Sequence, residues 1–339
     1  MATPKTYPIH VSLVDVTMFS CIICGKPLHE TDKTVCCAEG HNFVIRNGVY
    51  DFLPRSLPAI TAGDAQYHSS VRDVWVERNQ IDTLRNIRYH DKILNFVISR
   101  AGENGIILEL GGGVGFDLVR FLRQSPRFKC YIFSEISQDL AEFARNEAEN
   151  MGDYYSIRLK YANIDATQLP FFDGTIDIIY MIAALHHFPD LNQALAEMSR
   201  VLRQGGYLVC GIEPNRRLVG FLNHLKRPFR RLISSGSHSP ADEEAEGFTI
   251  EDLKRWAPGH RLRVEGIEPV WFITGVVHYG LEFVHRLLRR RKRLRLPHAV
   301  ERILIWLDER LLSLSILRQF AWHYTAIYRK ECMRLSSES

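Results

Sequence analysis

The stretch LELGGGVGF, residues 108–116, constrains this chain more than any other: an apolar strand runs into four glycines and out into a helix. Such a turn lets backbone amides approach a nucleotide-like ligand closely. A dinucleotide fingerprint needs G-x-G-x-x-G, with the third glycine packing helix on strand beneath the pyrophosphate. Gly111 and Gly113 fit, but the third place is Phe116, and the spacing present is G-x-G-x-G through Gly115. A bulky ring just inside the helix argues for a smaller ligand lying along the turn.

Acidic residues at strand ends sharpen the ligand. Glu109, beside the turn, can face an ammonium group; Glu135, ending the next strand, can accept both hydroxyls of a ribose; Asp165, ending the third, can accept from the exocyclic amine of adenine. Together they describe an amino-acid end, a ribose and an adenine, without phosphate.

Strand and helix patterns alternate from 105 to 213. GIILEL (105–110), CYIFSE (130–135), IRLKYANID (157–165), TIDIIYMIAAL (175–185) and GYLVCGIE (206–213) read as strands, with a helix capped by Ser137 and another at 190–203. This alternation predicts an α/β fold, a parallel sheet with helices on both faces. FTIEDLKRWAP reads as a helix capped by Thr249, RLRVEGIEPVWFI as a strand and AWHYTAIYRK (321–330) as a closing strand. Helix is expected over 70–99, and a basic helical insertion at about 278–318; a Pro- and Ala-containing stretch near Pro58–Gly63 reads as a link. Three units follow: a cysteine-rich one over 1–60, a helical linker or lid over 61–104, and the α/β part over 105–339.

Residues 105–213 resemble class I S-adenosylmethionine-dependent methyltransferases. LELGGGVG matches the family's first motif, FSEIS its acidic second-strand end, NIDATQLPFFDGTIDIIYMIAALHHFPD its third and fourth motifs, and EMSRVLRQGGYLVCGIEPN its helix and fifth strand. Gly112 stands where a cysteine is common, a departure expected to be harmless. The resemblance implies a Rossmann-like, seven-stranded, mostly parallel sheet whose last strand, 321–330, runs antiparallel beside 206–213. It also implies S-adenosylmethionine as cofactor, with Ile136, Ala166 and Ile182 joining Glu109, Gly111, Gly113, Gly115, Glu135 and Asp165 around it.

A sulfonium methyl is already activated, so the protein mainly positions the acceptor, and a base is needed only for a protonated one. His186 and His187, after the strand IIYMIAAL, are the candidates; the alternative is that HHF caps the strand and packs beneath the cofactor. Glu213 and Asn215 either hydrogen-bond the acceptor or satisfy backbone at the strand end.

Four of the seven cysteines crowd the first 40 residues. Cys21 and Cys24 are spaced C-x-x-C, and Cys37 precedes His41 by C-x-x-x-H; three thiolates and one imidazole make a closed, structural zinc site. Cys36 is the alternative to Cys37. About 36 residues cannot bury enough apolar surface without such a staple. The unit resembles the zinc ribbons that precede ribosomal RNA guanine methyltransferase domains, and small ribbon proteins that partner tRNA and protein methyltransferases, so it does not fix a substrate.

A net charge of +4 excludes little, but its distribution is uneven. Residues 216–231 carry six Arg or Lys and no acid, and 281–330 carry twelve against four acids. These basic stretches suit a solvated helical lid, an anionic membrane surface, nucleic acid or an acidic substrate. No run of about 18 apolar residues predicts a membrane span. MATPKTYPIHVSLVDV lacks the order of a secretory signal, so a cytoplasmic chain is expected, with the option of peripheral membrane contact. Three functions compete: a methyltransferase acting on O or N of a small-molecule, peptide, glycan or lipid-linked acceptor; an RNA methyltransferase guided by the ribbon; and a non-catalytic cofactor-binding module that activates a partner.

Overall fold

The computed structural model describes residues 18–80, 83–124, 126–152, 158–226, 247–288 and 294–332. The N-terminal stretch 1–17 and the basic runs at 227–231 and 289–293 lie outside the described residues.

Apolar residues alternate along the strands to feed two cores, one on each face of the sheet. Strands β5 (Ile106–Leu110), β6 (Cys130–Ser134), β7 (Leu159–Asn163), β8 (Ile176–Ile182) and β9 (Leu202–Pro214) run parallel. Ile107, Tyr131, Phe133, Ile178 and Tyr180 face helices α3 (Leu84–Ala101), α4 (Phe116–Arg123) and α5 (Gln138–Glu149). Leu108, Leu110, Ile132, Ile179 and Met181 face the other way, with α6 (Leu191–Val201). The expected Ser137 cap is present, its hydroxyl accepting from the Leu140 amide at 3.3 Å.

The C-terminal part adds α7 (Arg216–Lys226), α8 (Ile250–Gly259), β10 (Leu262–Val270), α9 (Ile273–Leu287), α10 (His298–Leu311), the short α11 (Ser315–Arg318) and β11 (His323–Lys330). Thr249 and Asp252 form a capping box at α8. β11 inserts antiparallel between β9 and β10.

Two expectations need correction. The 58–63 link is helical: α1 (Ala59–Ser70) begins immediately after Pro58, whose fixed φ suits a helix start, and the single helix expected over 70–99 is α2 (Arg72–Gln80) followed by α3. The sheet also exceeds seven strands. The ribbon supplies β1 (Leu28–Glu30), β2 (Thr34–Cys37), β3 (Asn42–Arg46) and β4 (Val49–Asp51), and β4 pairs in parallel with β7. Among the described residues one sheet of 11 strands runs β1-β2-β3-β4-β7-β6-β5-β8-β9-β11-β10. No described helix is long and apolar enough to cross a membrane.

Candidate active site

The carboxyl ends of β5, β6, β7, β8 and β9 open on one crevice, the place where parallel α/β sheets bind ligands. The glycine turn forms its floor. Gly111, Gly113 and Gly115 take φ of 65°, 57° and 75°, left-handed values that side chains resist. Gly112 is needed for a different reason: a Cβ there would collide with the Phe133 ring, so any side chain would force Phe133 to move.

Glu135 is buried at this turn. One carboxylate oxygen accepts the Gly113 amide at 2.9 Å, the other the Ser137 amide at 3.2 Å, and Asn163 donates to its carbonyl at 2.8 Å. The carboxylate therefore ties the second strand to the glycine turn, with its oxygens at the crevice floor. Asp165 is half-buried, and one of its oxygens takes the Thr167 amide and hydroxyl at 2.8 and 2.7 Å. Ala166 is buried, and Ile136 and Ile182 are half-buried beside the same strand ends.

Glu109 is placed differently from the sequence expectation. Its carboxyl lies inside the helix-covered face, where Tyr131 donates to it and Tyr180 joins Tyr131 through their hydroxyls. Burial first, and then the negative charge of Asp117, push its pKa up to about 8. A carboxyl held neutral among tyrosines fixes three strands together and does not offer a charge to an ammonium group.

The two histidines diverge. A 3-10 turn, Leu185–His187, follows β8. Glu213 is wholly buried beneath it, accepting the amides of Ala184 (3.1 Å), Leu185 (2.9 Å) and His186 (3.3 Å). The same carboxylate faces His186 Nδ1 at 2.8 Å. It orients the ring and, in the neutral imidazole, leaves Nε2 as the basic nitrogen. His187 Nδ1 instead lies 3.1 Å from Asp64 Oδ2, and His68 Nε2 lies 3.6 Å from that oxygen. Asp64 and His68 stand one turn apart on α1, which is also tied to the start of α5 through Ser69 and Ser137 (2.6 Å), as is α2 through Arg72 and Asp139 (2.9 Å). The ligand atoms of Asp64, His68 and His187 all lie within 4.8 Å of one another.

Neither Glu213 nor Asn215 reaches toward an acceptor. Asn215 is wholly buried, donates to the carbonyls of Gln319 (2.9 Å) and Ala321 (2.7 Å), and accepts the Arg217 amide (3.0 Å). Both side chains satisfy backbone at the end of β9, and Glu213 acts on the site only through His186. Backbone strain gathers at this end of the sheet: Ala183, Ile212 and Trp271 have φ of 53°, 56° and 56°.

In the ribbon, Cys21, Cys24, Cys37 and His41 place their ligand atoms within 4.8 Å of one another; Cys36 is not among them. Cys24 and Cys37 sulfurs are 3.6 Å apart, and His41 Nδ1 lies 3.5 and 3.4 Å from Cys21 and Cys37. Burial pushes the Cys21 thiol up. At Cys37 burial acts the same way but is outweighed by hydrogen bonds from the His41 and Glu39 amides, which bring it down to about 6.

Residues 108–210 match the family model described as Methyltransferase domain. The chain is 31% identical over 156 residues to the uncharacterized methyltransferase YcgJ of Bacillus subtilis, covering 44% of this chain and 59% of that protein. It is 34% identical over 157 residues to the ubiquinone/menaquinone biosynthesis C-methyltransferase UbiE of Marinomonas sp., covering 46% and 61%. It thus spans about three-fifths of the length of these relatives. A structure from Galdieria sulphuraria, provisionally assigned as a sarcosine dimethylglycine methyltransferase, shares the fold with a TM-score of 0.52 at 15% identity, over 80% of this chain and 98% of that one. The segment from Leu108 to Cys210 thus matches a methyltransferase domain in sequence, and the chain shares the Rossmann-like fold of such enzymes.

Proposed function

We propose that the chain is an S-adenosylmethionine-dependent methyltransferase acting on an oxygen or nitrogen acceptor. The observation that carries this reading is Glu135, buried at the crevice with its carboxylate oxygens on the amides of the glycine turn and of the next helix. A ribose would take over that carboxylate, Asp165 would meet the adenine edge, and Ile136, Ala166 and Ile182 would line the cofactor. When bound, the cofactor supplies a methyl group made electrophilic by its sulfonium. His186, oriented by Glu213, accepts the acceptor's proton at Nε2, and His187 with Asp64 borders the same space. α1, joined to this end of the sheet by Asp64 with His187 and Ser69 with Ser137, would cover the bound cofactor.

The acceptor side favours a lipid-linked member of the substrate classes above. Val276, Phe283, Ile303, Trp306, Ile316 and Phe320 of the helical insertion are exposed, beside a sequence rich in arginine. Exposed apolar side chains within a basic stretch of sequence suit an anionic membrane surface, where aliphatic side chains gain more than they would on RNA. The ribbon's donor set fits tetrahedral zinc: three sulfurs and one imidazole with spacings of 3.4 to 3.6 Å, close to those of ligands about 2.0–2.3 Å from one ion. All four positions are filled by protein, so the zinc would be structural.

Incubation with methyl-labelled cofactor and fractionated cell extract tests the reading. Label in lipid is the expected result; label in RNA would transfer the assignment to the ribbon-guided alternative. Cofactor binding with label in no fraction would make the chain a non-catalytic module.

A further inference from the structure

Arg85, in the first turn of α3, is only 5% exposed, yet its Nε and Nη1 have no hydrogen-bond partner among the described residues. Its Nη2 donates to the Asn86 side-chain oxygen at 3.1 Å. The guanidinium stacks on Trp271, 3.8 Å from the ring centroid, and Trp271 meets His323 with centroids 4.7 Å apart. The indole Nε1 of Trp271 and Nδ1 of His323 are likewise buried without partners. Among the described residues, the acids whose charge bears on Arg85 are committed elsewhere: wholly buried Asp308 accepts the amides of Phe272 (2.9 Å) and Ile273 (2.7 Å), and Glu301 accepts the Leu84 amide (3.0 Å).

Buried polar groups are nearly always satisfied, and a buried charge is nearly always paired. Three adjoining side chains with orphan polar atoms, one of them a cation, therefore point to a group that comes from outside the chain. Trp271 carries a second mark: a bulky side chain with φ of 56° is strained, and such strain collects at ligand sites. A planar guanidinium fork beside an indole N–H suits a group with two or more oxygens and negative charge.

The place of this trio identifies which ligand it serves. Trp271 follows β10 and His323 opens β11, opposite Pro214 in register, so both stand at the crevice end of the sheet next to Glu213. β11 is three strands from β5 in the order β5-β8-β9-β11, roughly 14 Å at the usual strand spacing, which sets His323 on the far side of β8 and β9 from the glycine turn. His186 and Arg85 are both close enough to His323 to bear on its charge.

We propose that Arg85, Trp271 and His323 form an oxyanion subsite that takes a carboxylate or phosphate group carried by the methyl acceptor. The anion sets the acceptor's register against His186, and Arg85 selects acidic acceptors over neutral ones. Burial lowers the Arg85 pKa only to about 10, so the guanidinium is charged at neutral pH. The claim that the anion belongs to an acceptor rests on the methyltransferase reading; the existence of the subsite does not.

The test compares the full wild-type chain with Arg85→Met, using inorganic phosphate, acetate and S-adenosylmethionine as separate probes in calorimetry. Phosphate or acetate should bind wild type at least tenfold more tightly than the variant, the tighter of the two naming the acceptor's group. Cofactor affinity should change less than twofold. In anion-free buffer the variant should melt above wild type, because an uncompensated buried charge has been removed. Equal anion affinities, no anion binding by wild type, a lower melting point, or a parallel loss of cofactor affinity would each overturn the proposal. Should Arg85→Met fail to fold, Trp271→Phe keeps the stacked ring and removes one donor; unchanged phosphate affinity in that variant overturns it equally. Failure of wild type to bind the cofactor, with phosphate binding intact, would sink the methyltransferase reading alone.

Discussion

Glu213 holds His186 from both sides of its own backbone: one carboxylate oxygen accepts the amides of Ala184 and Leu185 at 3.1 and 2.9 Å, while the other faces the ring's Nδ1 at 2.8 Å. The residue never reaches the crevice, yet it decides which ring nitrogen can accept a proton there. Glu213→Gln should lower methyl transfer on the order of ten- to a hundredfold with little change in cofactor affinity, because the ring loses its orienting acceptor. A loss of about 1–3 kcal/mol in urea denaturation should accompany it, since one turn amide is left poorly satisfied. A pH–rate profile whose acidic limb shifts in the variant would separate positioning from simple loss of stability.

Glu109 makes stability depend on pH in an unusual direction for a carboxyl group. Its folded pKa of about 8 exceeds the ordinary value of 4.5, so the folded state binds the proton more tightly than the unfolded one. The stability this group contributes is complete below the unfolded pKa, falls as pH rises between the two values, and levels off above about 8. Glu109→Gln should therefore stabilise the protein at pH 8, by up to a few kcal/mol on the order-of-magnitude relation of about 1.4 kcal/mol per pH unit, and be nearly neutral at pH 4.5. Melting curves of both chains across that range check the sign.

Two glycines of the turn should respond differently to alanine. At Gly113 a Cβ meets nothing within 4 Å, so the cost is the left-handed backbone alone, about 1–2 kcal/mol. At Gly115 a Cβ would lie 2.6 Å from the Ala144 Cβ and 3.1 Å from its Cα, pushing α4 off α5. Gly115→Ala should cost roughly 1–3 kcal/mol beyond the backbone term, by overpacking. Denaturation midpoints should rank wild type, Gly113→Ala and Gly115→Ala in falling order, with cofactor affinity reduced in both variants.

Metal analysis should find one tightly held zinc per chain, lost in Cys24→Ser. Because metal binding to such a ribbon is folding free energy, chelation should lower the melting temperature by several degrees or more. β4 pairs with β7, and Asn163 at the end of β7 donates to the Glu135 carbonyl. Cofactor affinity should accordingly fall together with zinc content, which calorimetry on chelated and reloaded protein can follow.

The central strands are legible because each is a short apolar run, most of them closed by glycine or an acid, a pattern that local preference and burial both enforce. α1 was misjudged because Pro58, Ala62 and Gly63 have the composition of a link, while its helicity is supported by contacts at the crevice such as Ser69 with Ser137. The pairing of β4 with β7 joins residues 112 positions apart, as in Val49 with Tyr161, and nothing local announces it. Glu213 and Asn215 followed a strand end as ligand-binding residues do; whether such a side chain turns to solvent or back to amides depends on neighbours far along the chain, here Gln319 and Ala321. Asp64 and His68 left one trace, an acid and a histidine four residues apart, which only the helix made meaningful. Arg85 left none, since an arginine in an amphipathic helix is ordinary until its burial is known.

The parallel seam between β4 and β7 has one more consequence. A bare β7 would present a row of unmatched amides and carbonyls along the flank of the largest sheet, a template for another chain to add onto. The ribbon is thus a selvedge as much as an appendage: trimming the gene at residue 60 to obtain a minimal catalytic fragment should yield insoluble protein rather than a smaller enzyme.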